Sequence, residues 1–241
     1  MNENSSSREK MSSKATNNIY GSHSDLVMES FECFHWASNR QVQIWFRGVA
    51  TKRHFPTEDV LQKLSKRKRL RKTKYGRINV YAIPRKTKGE LEESWKIYHG
   101  LGCTEALMRF YRSDTDCEII PEREFRGMGS VPEWGIRYPN GSLLLGEFST
   151  KSNVTYSTIM PGKFRAYRDN LPKIEEAFGS RAVVVFILDI PRDQVAKRIG
   201  IWKPDGPYFF TDYETFQKVP IGLQLKAPIY FWTDGKEYSL A

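Results

Sequence analysis

Apolar positions in residues 19–88 first recur at helical spacing and then switch to strand spacing. In "SDLVMESFECFHWAS", Leu26, Val27, Phe31, Phe34 and Trp36 follow a roughly helical period, which predicts a first helix with Ser24 and Asp25 as its caps. "NRQVQIWFRGVA" predicts a second helix, capped by Asn39, with Val42, Ile44, Trp45, Phe46 and Val49 on its apolar side. "PTEDVLQKLSKRK" predicts a third. Pro56 and Thr57 mark its start, Glu58 and Asp59 suit the positive end of the helix dipole, and Val60, Leu61 and Leu64 face inward. Past Leu70 a basic run meets a Tyr-Gly turn, then Ile78, Val80, Tyr81 and Ile83, the pattern of a β-hairpin.

From residue 89 the pattern changes. "KGELEESW" is charged and links the two modules or begins a helix. "SWKIYHGLGCTEALMRFYRS" predicts a helix through Ile97, Leu101, Leu107, Met108 and Phe110, and "CEIIPEREFR" a strand. "PEWGIRY" and "SLLLGEFST" are two more strands joined by Pro-Asn-Gly, a strong hairpin signal. "GKFRAYRDNLPKIEEAFG" predicts a helix that Pro172 kinks or divides. "RAVVVFILDI" is apolar almost throughout, as a strand covered on both faces must be. "PRDQVAKRIG" predicts a short helix and "KAPIYFWTD" a last strand. The fold class is therefore α+β or α/β. Residues 19–88 read as a winged helix-turn-helix, and residues 89–241 as a mixed sheet with helices on its faces. Residues 1–18, rich in Ser, Asn, Lys and Glu, read as a disordered tail.

Charge sharpens this division. Residues 40–90 hold 16 Lys or Arg against Glu58, Asp59 and Glu90, a net +13 in a chain whose total is +10, so the remainder carries about −3. A basic module on a mildly acidic one points to double-stranded DNA as partner; a solvated lysine-rich surface is the plainer alternative. In a winged helix the third helix enters the major groove and the wing touches phosphates. Lys52, Arg53 and His54 precede that helix, and Lys63, Lys66 and Arg67 lie on it or just after it. Arg69, Arg71, Lys72, Lys74 and Arg77 line the hairpin. Most of these residues position the protein on the backbone without reading sequence.

Other chemistry is thin. No stretch approaches the roughly 20 apolar residues of a membrane span, and residues 1–18 lack the apolar run of a signal peptide. Cys33, Cys103 and Cys117 are scattered, which suits a reduced, cytoplasmic protein. His23, His35, His54 and His99 have no zinc spacing to the cysteines, and His99 reads as a helix-start residue. There is no GxxxxGK[ST] loop for ATP. Trp134, Trp202 and Trp232 read as packing residues, and Asp189 as a cap for the helix after Pro191.

The segments "VPEWGIRY", "LLLGEFSTK", "KFRAY" and "VVVFIL", in the order helix–strand–strand–strand–helix–strand, resemble the PD-(D/E)XK nuclease fold. With a winged helix in front, residues 19 to about 200 resemble the replication-relaxation family of bacterial plasmids and mobile elements. The resemblance implies a DNA-binding protein of replication, maintenance or transfer, with replication or relaxase proteins or a second copy of the chain as partners. It also implies a Mg²⁺ site: Glu133 as first acid, Glu147 as second, Glu105 as a helical glutamate, and Lys163 and Tyr167 on the following helix facing the same site. Mg²⁺ would polarise a phosphate and activate water. Two departures stand out. Glu133 replaces the usual Asp, and Ser149 occupies the expected lysine position. Lys151 is the candidate to substitute as the catalytic lysine: it shares a face with Glu147 if the strand runs straight, but from about 7 Å further along than the expected position two residues after Glu147. Glu122 and Glu124 add acidity nearby. Two alternatives stand beside the DNA-binding reading. One is an active Mg²⁺-dependent endonuclease; the other is a regulator whose C-terminal domain binds a protein or dimerises.

Overall fold

The computed structural model describes residues 23–49, 57–84, 94–111, 116–155, 158–218, 229–233 and 236–240. Residues 1–18, Lys52, Arg53 and His54 lie outside these spans. The apolar stripe that predicts the first helix outruns it: α1 covers His23–Phe31 only. Main-chain N–H groups of Cys33 and Phe34 donate to the Ser30 carbonyl and close its end. Phe34 and Trp36 lie beyond, and the chain extends into a two-residue strand, β1 (Ala37–Ser38). Helix α2 (Asn39–Val49) follows. Ser38 rather than Asn39 is its cap. The Gln41 amide donates to Ser38 Oγ at 3.2 Å and Gln41 Oε1 accepts from the Ser38 amide at 2.9 Å, a reciprocal capping box.

Helix α3 (Thr57–Lys66) buries Val60, Leu61 and Leu64, as its periodicity predicts. Strands β2 (Arg71–Tyr75) and β3 (Ile78–Ala82) form the hairpin. β1 adds to its inner edge, giving a small antiparallel sheet of order β1-β3-β2. The outer strand β2 is exposed along its middle.

Helix α4 (Ser94–Phe110) begins the second unit. The predicted strand at 117–126 is shorter than its pattern. β4 covers Glu118–Pro121, and Glu122–Phe125 turns into a 3₁₀ helix. β5 (Trp134–Arg137) and β6 (Ser142–Ser149) form the predicted hairpin. A short helix α5 (Lys151–Thr155) precedes α6 (Ile159–Phe178). α6 runs unbroken through Pro172. Met160, Phe164, Tyr167, Leu171 and Ile174, spaced four and three apart, are all buried and hold it across the hydrogen bond the proline lacks. β7 (Arg181–Leu188), α7 (Arg192–Trp202), β8 (Tyr208–Asp212), α8 (Tyr213–Gln217), β9 (Ile229–Thr233) and β10 (Lys236–Leu240) follow among the described residues.

These strands form one seven-stranded mixed sheet of order β10-β9-β8-β7-β6-β5-β4. β6, β7 and β8 are parallel, and antiparallel strands flank them on both sides. One face packs on α6 and α7 through Leu143, Leu145, Val184, Phe186 and Phe210. The other carries Trp134, Phe148, Val185 and Ile187 against α4 and α8, and this core runs on into Phe31, Phe34, Trp45 and Leu61 of the first unit. Alternation along β6 and β7 assigns each residue to its face. Close approach decides two glycines. A Cβ at Gly102 of α4 would lie 2.5 Å from the Phe148 ring, and one at Gly146 would lie 2.1 Å from Trp134.

Candidate functional site

Two charged regions stand out, and they are built in opposite ways. The first is the end of α3 with the β2–β3 hairpin. Lys63, Lys66 and Arg67 border a groove with Asp59 and Gln62. These three cations, together with Arg69, Lys72, Lys74 and Arg77, are exposed. Some are held from one side. Arg69 lies 3.9 Å from Asp25, and the Lys72 ammonium sits 6.0 Å from the centre of the Tyr81 ring. Arg71 differs from its neighbours: it is half-buried, with its guanidinium 4.6 Å above the Trp36 ring, a contact that ties it to the core.

The second region lies where β5 and β6 meet α4 and α6. Glu133 stands just ahead of β5, and its amide donates to the Gly146 carbonyl at 3.0 Å. That bond sets Glu133 beside Glu147 on the neighbouring strand. Glu147 is buried beneath α6, where Tyr167 donates to its Oε1 at 2.7 Å and Lys163 forms an ion pair with its Oε2. Lys163 and Tyr167 are four residues apart, so one helix face brings both onto the same carboxylate. Burial pushes the Glu147 carboxyl up, Lys163 pulls it down, and Glu133 adds to the upward push; the net direction is up. Burial would lower the Lys163 ammonium, but Glu147 and Glu133 more than offset it and hold it above its ordinary value.

Glu133 is surrounded by imidazoles. His99 Nε2 lies 3.1 Å from its Oε1 and His35 Nε2 lies 3.5 Å from its Oε2. His35 Nε2 also reaches the Glu133 main-chain oxygen at 3.1 Å and Glu122 Oε2 at 3.7 Å. Burial alone would raise the Glu133 carboxyl. The hydrogen bond from His99 and the charges of His35, His99 and Lys163 outweigh it and bring the value down to about 2. Burial opposes charge on His99, yet its bond to Glu133 raises it above the ordinary imidazole value. Cys103 lies one turn along α4, its Sγ 3.6 Å from His99 Nδ1. Burial raises that thiol well above the usual range, so it stays protonated.

Glu133, Glu147, Lys163 and Tyr167 come together; Glu105 and Lys151 do not join them. The Glu105 carboxylate is held by Arg109 at 2.7 Å and by the Tyr213 hydroxyl at 3.4 Å. The straight strand that Lys151 requires ends at Ser149. Lys151 instead opens α5, with an exposed side chain and its amide 3.3 Å from Asp189 Oδ2. Asp189 is thus occupied by that amide and by the Tyr98 hydroxyl rather than by capping α7. Ser149 is fully buried, and its hydroxyl has no hydrogen-bond partner among the described residues. The lysine beside Glu147 is supplied from α6, by Lys163.

The acid pair does not fit the Mg²⁺ that the nuclease resemblance implies. Mg²⁺ needs an octahedral set of oxygens, several of them water. Both Glu147 oxygens are engaged by Lys163 and Tyr167, and Glu105 is turned away. Among the described residues, two groups of three have ligand atoms all within 4.8 Å: His99–Cys103–Glu133 and His35–Glu122–Glu133. Neither contains Glu147. His35 and His99 are the residues that sequence reasoning passes over. The i, i+4 spacing of His99 and Cys103 is a legible signal that they share a helix face. His35 carries no signal, because its place depends on how the two units pack.

No family model matches the chain, and a comparison with curated proteins finds no relative. Among the described residues no helix is long and apolar enough to cross a membrane.

Proposed function

We propose that the protein binds duplex DNA through α3 and the β2–β3 hairpin, as a winged helix does. The observation that carries this reading is the exposed cationic surface of that hairpin and the adjoining end of α3. Lys66, Arg67, Lys72, Lys74 and Arg77 are exposed, while the apolar residues behind them are buried. The helix order and the β1-β3-β2 sheet support the comparison. Exposed, long-stemmed cations on a hairpin are suited to phosphate contacts, whose energy comes largely from counterion release.

In the same reading the second unit is a nuclease-like scaffold. The two antiparallel strands leading into parallel β6 and β7, with Glu133, Glu147 and Lys163 adjacent, support the likeness. The internal pairing of Glu147 favours a binding role over Mg²⁺-dependent cleavage. Replication or maintenance of a mobile element is the cellular setting that the family resemblance suggests.

Fluorescence anisotropy with a labelled duplex tests the reading. The full chain is expected to bind, and a variant carrying Lys66→Gln, Lys72→Gln, Lys74→Gln and Arg77→Gln is expected to lose at least tenfold in affinity. Equal affinity of the two proteins would overturn it. Incubation of supercoiled plasmid with Mg²⁺ tests the scaffold role: intact plasmid is expected, and nicking abolished by Glu147→Ala would replace scaffold with nuclease.

A further inference from the structure

We infer that His35, Glu122 and Glu133 form a binding site for one first-row transition-metal dication of the zinc class, clasping the two units of the chain together. The three residues come from three separate places: the segment after α1, the 3₁₀ helix after β4, and the residue ahead of β5. His35 Nε2 lies 3.7 Å from Glu122 Oε2 and 3.5 Å from Glu133 Oε2, and all three ligand atoms fall within 4.8 Å of one another. Bonds of about 2.0–2.1 Å in a tetrahedral site place ligand atoms about 3.4 Å apart. The two edges from His35 are within a few tenths of an ångström of that separation, and the edge between the two carboxylates, within 4.8 Å, closes by rotation of the half-exposed Glu122 side chain to seat an ion, with water in the fourth position.

The donor types select the metal. One imidazole and two carboxylates suit zinc, cobalt or manganese, whereas Mg²⁺ favours oxygen alone. The surroundings agree. Two carboxylates and the Glu133 main-chain oxygen surround a single imidazole nitrogen; a dication would take the place of the proton on His35 Nε2, released to solvent, and balance the two carboxylates. His99 Nε2 donates to the other oxygen of Glu133, so an outer-shell partner already orients that ligand. The side chains of His35, Glu122 and Glu133 are 19%, 37% and 16% exposed, so an ion can enter from solvent. The alternative triad, His99–Cys103–Glu133, is closed by comparison, because Cys103 is fully buried. The proposal does not depend on DNA binding.

Isothermal titration of the full chain, stripped with chelator, with Zn²⁺ and separately with Co²⁺ provides the test. One equivalent of Zn²⁺ is expected to bind, with Mg²⁺ at the same concentration giving no signal, and Zn²⁺ is expected to raise the unfolding temperature. His35→Ala and Glu122→Gln are each expected to weaken Zn²⁺ binding by 10- to 100-fold or more and to abolish the thermal shift, while Cys103→Ser leaves both unchanged. Glu122 is a surface residue, so its variant keeps the test valid if His35→Ala fails to fold. Wild-type affinity in Glu122→Gln, no Zn²⁺ binding by wild type, or loss of binding in Cys103→Ser would each overturn the proposal.

Discussion

The hairpin of the first unit and the acid centre of the second both concentrate charge, but they treat it oppositely. On and beside the hairpin the cations other than Arg71 stand in solvent, and those with partners meet them from one side, as Arg69 meets Asp25 and Lys72 meets the Tyr81 ring. At the acid centre each carboxylate is paired, Glu147 in a buried place with Lys163 and Tyr167, Glu133 nearer to solvent with His99 and His35. Exposed charge contributes little to folding and remains available to a ligand. Enclosed charge is committed to the fold, because removing one partner strands the other in a poorly solvated place. The contrast separates a surface whose charge is open to a ligand from a buried pair, Glu147 and Lys163, whose charge is tied into the fold.

The largest effect should come from breaking the buried pair. Lys163→Ala or Glu147→Ala is expected to destabilise the protein by about 3–5 kcal/mol, measured by urea unfolding. Lys163→Met combined with Glu147→Leu should cost less than either alone, since no charge is then left unpaired. Additive losses in the double variant would mean that the pair is not coupled, and the distinction between the two regions would weaken.

A second effect concerns pH. The Glu133 carboxyl is brought from its ordinary 4.5 to about 2 in the folded protein. The unfolded chain therefore binds more protons between these values, and the stabilisation, complete above about pH 4.5, disappears as pH falls toward 2. The loss should amount to about 3 kcal/mol. Glu147, shifted upward, works in the other direction, its contribution falling as pH rises above 4.5. Unfolding measured across pH 2–5 in chelator should show a steep acid limb that Glu133→Gln flattens. An identical limb in the variant would show that Glu133 is not held by its histidines.

Much of the fold follows from periodicity, because single elements bury one face. The three helices, the basic hairpin, the Pro-Asn-Gly hairpin and the apolar strand β7 all carry that mark. What periodicity misses is short or set by distant packing. β1 has two residues, and the α5 turn that removes Lys151 from the strand's line leaves no local pattern. At the site, spacing alone puts Lys163 and Tyr167 on one helix face; that they face Glu133 and Glu147 is legible only through the nuclease resemblance. His35 is not legible, since only the docking of the first unit onto α4 brings it to Glu133; Gln41 donating to the Leu101 carbonyl at 3.1 Å is part of that docking.

The smallest effect on folding should be at the hairpin. Replacing Lys66, Lys72, Lys74 and Arg77 together by glutamine is expected to move stability by no more than about 0.5 kcal/mol per site. A larger loss in urea unfolding would mean that these cations, like Lys163, are part of the fold.

Duplex binding through that surface is tested most directly by the slope of log affinity against log salt concentration, compared between wild type and the four-residue variant. Loss of four phosphate contacts should flatten the slope by roughly 3 to 4. A slope that stays the same in the variant would contradict DNA binding through the hairpin and α3.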